Sequence, residues 1–173
     1  MNTDPVLDPW TLLGLARSYA VAPATVQVAH LRRLAALHPD RIADPVRREE
    51  AAREVAALNE ARDVLLDDER RADRLLALLG GPSKESDRSL PDGYLLEVME
   101  LREALEEAAA SGDPATRAAV EAQATERRRA HLAEVSRLFA EALPTPDEET
   151  LRRIRLELNA WRYVERLRQA LEG

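Results

Sequence analysis

The chain has 173 residues, of which 45% are hydrophobic, 33% charged and only 3% aromatic, and it contains no cysteine. Without cysteine there is no disulfide, no thiolate nucleophile and no thiolate ligand for a metal cluster. The formal charge of −7 argues against non-specific nucleic-acid binding, which requires a basic surface. No apolar run approaches the roughly 20 residues that span a membrane, and the N-terminus lacks the basic and apolar regions of a signal peptide.

Alanine and leucine dominate the composition and glycine is scarce, which predicts an all-α fold. Lys84 is the only lysine, which is typical of a GC-rich bacterial genome. We therefore expect an all-helical, cytoplasmic bacterial protein that contacts no membrane.

Two apolar segments are predicted before the proline at position 39. A short apolar segment, 9–15, is followed by Pro23, which suits the first turn of a helix because a missing N–H costs nothing there. From 24 to 37, residues at helical spacing predict one apolar face, made of Val28, Leu31, Leu34 and Ala35. Arg32 and Arg33 are expected to project from the opposite side. Pro39 ends this helix, because the residue before a proline disfavours helical geometry.

A long helix is predicted over about 45–66 and a short one over about 68–79. The predicted buried side of the long helix comprises Ala51, Val55, Leu58, Ala61 and Leu65. The sequence Gly-Gly-Pro at 80–82 ends the short helix, and the polar stretch 83–89 predicts a linker or turn. We therefore expect an N-terminal domain at 1–82, a linker at 83–92 and a second domain at 93–173.

The second domain is predicted to contain three longer helices, separated by breaks at 111–114 and 144–146. Short connections make neighbouring helices antiparallel, so a three-helix bundle is expected. On the first of these helices, one stripe at helical spacing is the predicted core: Tyr94, Val98, Leu101, Leu105 and Ala108.

The same helix carries apolar and acidic residues on roughly the opposite face, namely Leu96, Met99, Glu100 and Glu103, with Leu95 at the border. These residues are either scattered surface side chains, which are normal, or a partner-binding patch with apolar anchors and a charged rim. The last helix has two apolar stripes, so it is either buried between neighbours or exposes one face. The first stripe comprises Leu151, Ile154, Leu158 and Trp161, and the second Leu156, Ala160, Tyr163 and Leu167.

The predicted helix at 114–143 carries three adjacent arginines and a histidine. The three arginines at 127–129 are surrounded by glutamates and fan out around a helix, so a solvated face is predicted rather than a nucleic-acid site. His131 is expected near the bundle interior. No histidine–carboxylate cluster has metal-ligand spacing and no glycine-rich loop could hold a phosphate, so neither catalysis nor a cofactor is indicated.

The sequence His38-Pro39-Asp40 lies between two predicted helices and presents two polar side chains on a rigid turn. One interpretation is a helix stop with an incidental histidine. The other is a docking loop, because the flanking arginines, including Arg41, would steer association with an acidic protein surface.

The first eighty residues resemble a J-domain, the module that stimulates ATP hydrolysis by DnaK-class chaperones. The matching segments are 9–15 (Pro-Trp-Thr-Leu-Leu-Gly-Leu), 37–41 (Leu-His-Pro-Asp-Arg) and 58–61 (Leu-Asn-Glu-Ala). A second helical domain with Leu-Leu-Glu-Val-Met-Glu-Leu-Arg-Glu at 95–103 is similar to the HscB-type co-chaperones of iron–sulfur cluster assembly. Three positions that are usually aromatic in J-domains carry His30, Arg62 and Arg74.

This resemblance implies a non-enzymatic co-chaperone without a cofactor or metal. Its implied partners are the ATPase domain of a DnaK/HscA-class chaperone and an IscU-type iron–sulfur scaffold protein. The residues implied in chaperone binding are Arg32, Arg33, His38, Pro39, Asp40 and Arg41. Those implied in scaffold binding are Leu95, Leu96, Met99, Glu100, Glu103 and Tyr163. A J-domain co-chaperone for a different client, or a purely structural helical adaptor, remains open.

Overall fold

A computed structural model describes residues 8–37 and 44–172. Within these ranges the secondary structure is helical, which confirms the predicted all-α class. The chain divides into two compact units, Met1–Leu78 and Leu79–Gly173. Among the described residues, none of the helices combines the length and hydrophobicity needed to cross a membrane.

The first unit contains α1 (Pro9–Leu13), α2 (Pro23–Leu37), α3 (Pro45–Leu66) and α4 (Asp68–Leu78). A proline occupies the first position of α1, α2 and α3, where the missing N–H costs no hydrogen bond. Asp8 caps α1 by accepting from the N–H groups of Trp10 and Thr11. The buried indole of Trp10 donates from Nε1 to the carbonyl of Ser18 at 2.9 Å. These bonds hold α1 to the segment after it, and both α1 and α2 pack against α3.

The predicted apolar face of α2 is wrong. Its buried residues are Val26, Ala29 and His30. Of the predicted residues, Val28 and Leu31 are each 65% exposed, Ala35 is also exposed, and Leu34 is half-buried. The small side chain of Ala29 allows close approach to α3, and the ring of His30 is satisfied there because Nε2 lies 2.9 Å from Oδ1 of Asn59. A buried polar ring is tolerated when it is hydrogen-bonded.

Because the buried face of α2 differs from the predicted one, the expected positions of its arginines are also wrong. Arg32 lies four residues after Val28, so the two share the exposed face instead of occupying opposite faces. Arg33 is also exposed, and its guanidinium lies against Gly14 at the end of α1.

In α3, the prediction is confirmed for Ala51, Leu58, Ala61 and Leu65, which are buried, while Val55 is half-buried. A buried arginine, Arg71 of α4, was not predicted. It donates to the carbonyls of Tyr19 and Leu65 at 2.9 and 2.7 Å and pairs with Asp68 at 2.6 Å. Its guanidinium also lies 4.7 Å from the centroid of the Tyr19 ring. Arg71 therefore joins α3, α4 and the segment after α1.

The second unit contains the predicted three-helix bundle: α5 (Tyr94–Ser111), α6 (Pro114–Ala142) and α7 (Glu148–Glu172). The break between α5 and α6 follows from Gly112, which has a φ of 64°, and Asp113, which caps α6 by accepting from the N–H groups of Ala115 and Thr116. α6 packs against both other helices, and α5 also packs against α7.

The predicted core stripe of α5 is confirmed, because all five of its residues are buried. The first stripe of α7 is buried as well. In the second stripe Ala160 is buried, Leu156 is half-buried and Tyr163 is exposed, whereas the side chain of Leu167 lies outside the described ones.

Residues 82–89, which overlap the predicted linker, are hydrogen-bonded to α7. Arg155 donates from Nε to the carbonyl of Pro82 at 2.9 Å. Asn159 donates from Nδ2 to the carbonyls of Asp87 and Ser89, at 3.1 and 3.0 Å. Arg155 and Asn159 are 2% and 6% exposed, so two buried polar side chains hold this segment along one side of α7.

Candidate partner-binding surfaces

The first candidate surface is the exposed face of α2. Arg32 lies there beside Val28, and Leu31 extends the same face. Among the described residues, no carboxylate lies within 4 Å of Arg32 or Arg33, so their charges are not neutralised by this part of the chain. A face with positive and apolar side chains is suited to an acidic protein surface. The other predicted residues of this site, His38, Pro39, Asp40 and Arg41, lie outside the described residues.

The second candidate surface lies on α5. Leu95, Leu96 and Met99 are 56%, 64% and 52% exposed, and Glu100 and Glu103 are exposed beside them. Seven large hydrophobic side chains are exposed among the described residues, and these three fall within five positions of one helix. Clustering of this kind distinguishes an interaction surface from apolar side chains scattered singly.

Tyr163 lies on the same side of the bundle as Leu95 and Met99. The contact between α5 and α7 consists of Tyr94 and Val98 against Ala160 and Val164. On one side of this contact, ion pairs connect both helices to α6: Arg127 with Glu97 at 3.5 Å, and Arg128 with Glu165 at 3.1 Å.

Helical periodicity then determines which residues occupy the other side of this contact. On α5 these are Leu95 and Met99, and on α7 it is Tyr163, which is 37% exposed. Leu96, Glu100 and Glu103 continue the face around α5, away from α7. We call these six residues the α5/α7 surface.

A hydrogen-bond network beneath this surface fixes the start of α5. The hydroxyl of Tyr94 donates to the carbonyl of Ala160 at 2.8 Å and lies 3.0 Å from Nε2 of His131, whose Nδ1 lies 2.6 Å from Oε1 of Glu157. Burial raises the pKa of Tyr94 well above its usual value. The hydroxyl, the imidazole and the carboxylate thus form a continuous chain of hydrogen bonds. Because Tyr94, His131 and Glu157 belong to α5, α6 and α7, this chain of bonds joins all three helices.

The three arginines at 127–129 do not form a basic patch. Each is paired with a glutamate, Arg129 with Glu126 at 3.2 Å and the other two with the α5 and α7 residues given above. Arg128 additionally lies 5.9 Å from the ring centroid of Trp161. Among the described residues there is also no group of three His, Asp or Glu side chains placed to hold a metal ion.

Comparison with known proteins gives consistent results along the chain. The model of the family described as "HSCB C-terminal oligomerisation domain" matches residues 91–172. A "Co-chaperone protein HscB homolog" of Vibrio cholerae is 33% identical over 140 residues, which are 79% of this chain and 82% of that protein. A protein of the same name from Bordetella pertussis is 30% identical over 169 residues, 96% of this chain and 95% of the relative.

Two solved structures have the same fold. The structure "Chaperone HscB from Vibrio cholerae" has a TM-score of 0.77 and 25% identity, and the match covers 96% of both chains. The structure of the human co-chaperone protein HscB has a TM-score of 0.79 and 21% identity, and the match covers 99% of this chain and 84% of that one.

Proposed function

The chain belongs to the HscB family of co-chaperones, and from this premise we propose that it stimulates ATP hydrolysis by a DnaK/HscA-class chaperone and delivers an IscU-type iron–sulfur scaffold protein to it. The observation that carries the proposal is the cluster of exposed apolar residues on α5, in a unit separate from the one that bears the basic face of α2. Two surfaces on two units suit a protein that binds two partners at once. Tethering both partners raises the effective concentration of one near the other.

We assign the chaperone contact to the first unit. His38, Pro39 and Asp40 would make the directed contacts, as the resemblance to a J-domain implies. Arg32, Arg33 and Arg41 supply positive charge, which steers association more than it adds affinity.

We assign scaffold binding to the α5/α7 surface. Leu95, Leu96, Met99 and Tyr163 provide apolar anchors, since apolar and aromatic side chains form the centre of most protein interfaces. Glu100 and Glu103 form the charged rim. The bundle itself contains no thiolate that could bind a cluster, so the scaffold would carry the cluster and this chain would carry the scaffold.

Replacing His38 with glutamine tests the first assignment. We expect the variant to lose its stimulation of single-turnover ATP hydrolysis by the chaperone, while its affinity for the scaffold, measured by titration calorimetry, stays unchanged. Equal stimulation by the variant and the parent chain would refute the J-domain assignment.

Replacing Leu96 with alanine tests the second assignment, and Leu31→Ala is a matched control because the two leucines are 64% and 65% exposed. Neither change should alter the free energy of unfolding by more than about 0.5 kcal/mol, since both side chains are exposed. We expect Leu96→Ala to raise the dissociation constant for the scaffold roughly 5- to 30-fold, and Leu31→Ala to leave it unchanged. Equal affinities of the two variants would contradict the proposed scaffold site.

A further inference from the structure

A second feature of the bundle, a groove between the segment 82–89 and α7, has no role in the function proposed above. We call it the basic groove. It encloses about 470 Å³, and its cations are Lys84, Arg88, Arg162 and Arg166. Asn159 and Tyr163 complete the lining together with one acid, Glu85. Four positive charges against one negative charge leave three net positive charges, in a chain whose formal charge is −7. The groove is therefore positively charged although the chain as a whole is negatively charged.

The wall that carries Lys84 and Arg88 is held in place. Asn159 donates to two carbonyls of the segment, those of Asp87 and Ser89, and the buried Arg155 donates to a third, as described above. Within the segment, Oγ of Ser83 accepts from the N–H groups at 85 and 86, at 3.3 and 3.2 Å. The backbone that carries the two cations is thus held by bonds from buried side chains of α7. This wall of the groove therefore does not depend on a bound ligand.

Three charges of the groove, those of Lys84, Arg88 and Arg166, are available to a ligand. Among the described residues, no carboxylate lies within 4 Å of the charged groups of Lys84, Arg88 or Arg166, in contrast to the arginines of α6, several of which are paired with glutamates. Arg166 instead lies 6.0 Å from the ring centroid of Tyr163, at the limit of a cation–π contact. Like charges around one groove repel each other, and an anionic ligand would relieve this repulsion.

The size and position of the groove indicate what kind of anion it accepts. A volume of about 470 Å³ lies within the usual range for bound organic ligands and accommodates a short stretch of peptide with acidic side chains. Tyr163 lines the groove and also belongs to the α5/α7 surface, so the two sites are continuous. We propose that the basic groove binds an acidic segment of the same protein that docks on the α5/α7 surface. The identity of that protein as the iron–sulfur scaffold rests on the function proposed above.

The test compares two triple variants with the same change of net charge. The groove variant is Lys84→Gln/Arg88→Gln/Arg166→Gln. The control is Arg117→Gln/Arg129→Gln/Arg137→Gln, which removes three exposed arginines of α6 that pair with glutamates on their own helix. Both are assayed for binding of the IscU-type scaffold and of a fluorescein-labelled hexaglutamate peptide, at about 50 and about 300 mM salt, where screening differs strongly.

For the groove variant we expect affinity for both ligands to fall about tenfold at the lower salt concentration, and the salt dependence to become shallower, because three charge contacts are lost. The control variant should behave like the parent chain. Scaffold binding that Leu96→Ala weakens, but that is equal in the groove and control variants, would overturn the inference and leave the proposed function intact.

Two further outcomes separate the remaining possibilities. If the parent chain binds the peptide through the groove but does not bind the scaffold, the acidic-segment site stands and the scaffold assignment fails. If a hexathymidylate oligonucleotide binds through the same three residues more tightly than the peptide, the groove is a nucleic-acid site and the inference is overturned.

Discussion

Replacing Tyr94 with phenylalanine is expected to lower the free energy of unfolding of the second unit by about 1–3 kcal/mol. The ring would remain in place, including its edge contact with His131 at 5.6 Å between centroids. The change removes only the hydroxyl, and with it the bond to the carbonyl of Ala160 and the hydrogen bond between the hydroxyl and Nε2 of His131. One such hydrogen bond contributes about 0.5–1.5 kcal/mol, so the loss of two corresponds to about 1–3 kcal/mol.

This loss is large enough to measure by thermal or urea unfolding. In a unit of this size each kcal/mol corresponds to about 4–8 °C in melting temperature, so we expect a decrease of roughly 5–20 °C. Fluorescence of Trp161 in a Trp10→Phe background would report on the second unit alone, because Trp10 belongs to the first.

The matched control is Tyr163→Phe, which removes a hydroxyl from an exposed tyrosine on the same bundle. That change should alter the free energy of unfolding by less than about 0.5 kcal/mol. If the two variants unfold with the same midpoint, the Tyr94–His131–Glu157 network does not stabilise the bundle.

Three other changes test separate parts of the structure. Leu101→Ala, at a buried core position, should cost about 2–5 kcal/mol in urea unfolding, and a loss equal to that of Leu96→Ala would mean that the buried and exposed faces of α5 are misassigned. His30→Ala should destabilise the first unit by about 2–3 kcal/mol, measured by Trp10 fluorescence, and an unchanged midpoint would show that the bond to α3 is not formed. Asp113→Asn tests a pH dependence. Hydrogen bonds from Thr116 and from the N–H group of Ala115 lower the pKa of Asp113 below its ordinary 3.8. The stabilisation by this carboxylate is therefore present above pH 3.8 and is lost as the pH falls through the lowered pKa. The asparagine variant should therefore lose less stability than the parent chain below pH 3.8, and parallel pH profiles would contradict this.

The sequence was sufficient to predict α5 because its two faces differ clearly. Large apolar residues recur at helical spacing on one face, and the opposite face combines large apolar residues with acids. Tyr94, Val98 and Leu101 are buried, and Leu96 and Met99 are exposed, as predicted. The structure therefore places the predicted scaffold-binding residues where a partner could reach them, although their role stays a prediction.

The buried face of α2 could not be predicted in the same way, because hydrophobicity does not rank its positions correctly. Val28 and Leu31 are exposed, while Ala29 and His30 are buried. The reason lies in α3: a small residue allows the two helices to approach closely, and Asn59, 29 residues away in sequence, supplies the partner for the imidazole. Neither effect is visible in the periodicity of α2 alone.

Buried cations were missed for a related reason. Arg71 and Arg155 are 8% and 2% exposed, and the periodic pattern treats arginine as a surface residue. Their acceptors include carbonyls 52 and 73 residues away, at Tyr19 and Pro82. Burial of a charge depends on such distant partners, so it becomes evident only from the fold.

The bonds from α7 to residues 82–89 determine where the second unit can be cut from the chain. A fragment that begins at residue 93, at the end of the predicted linker, would lack the carbonyls of Pro82, Asp87 and Ser89. Arg155 and Asn159 would then lose these acceptors while remaining inside the bundle, which is costly for buried polar groups. A fragment of the second unit that keeps these acceptors therefore begins at or before Pro82, well before the start of α5, because the stretch predicted as a linker is bonded to the bundle.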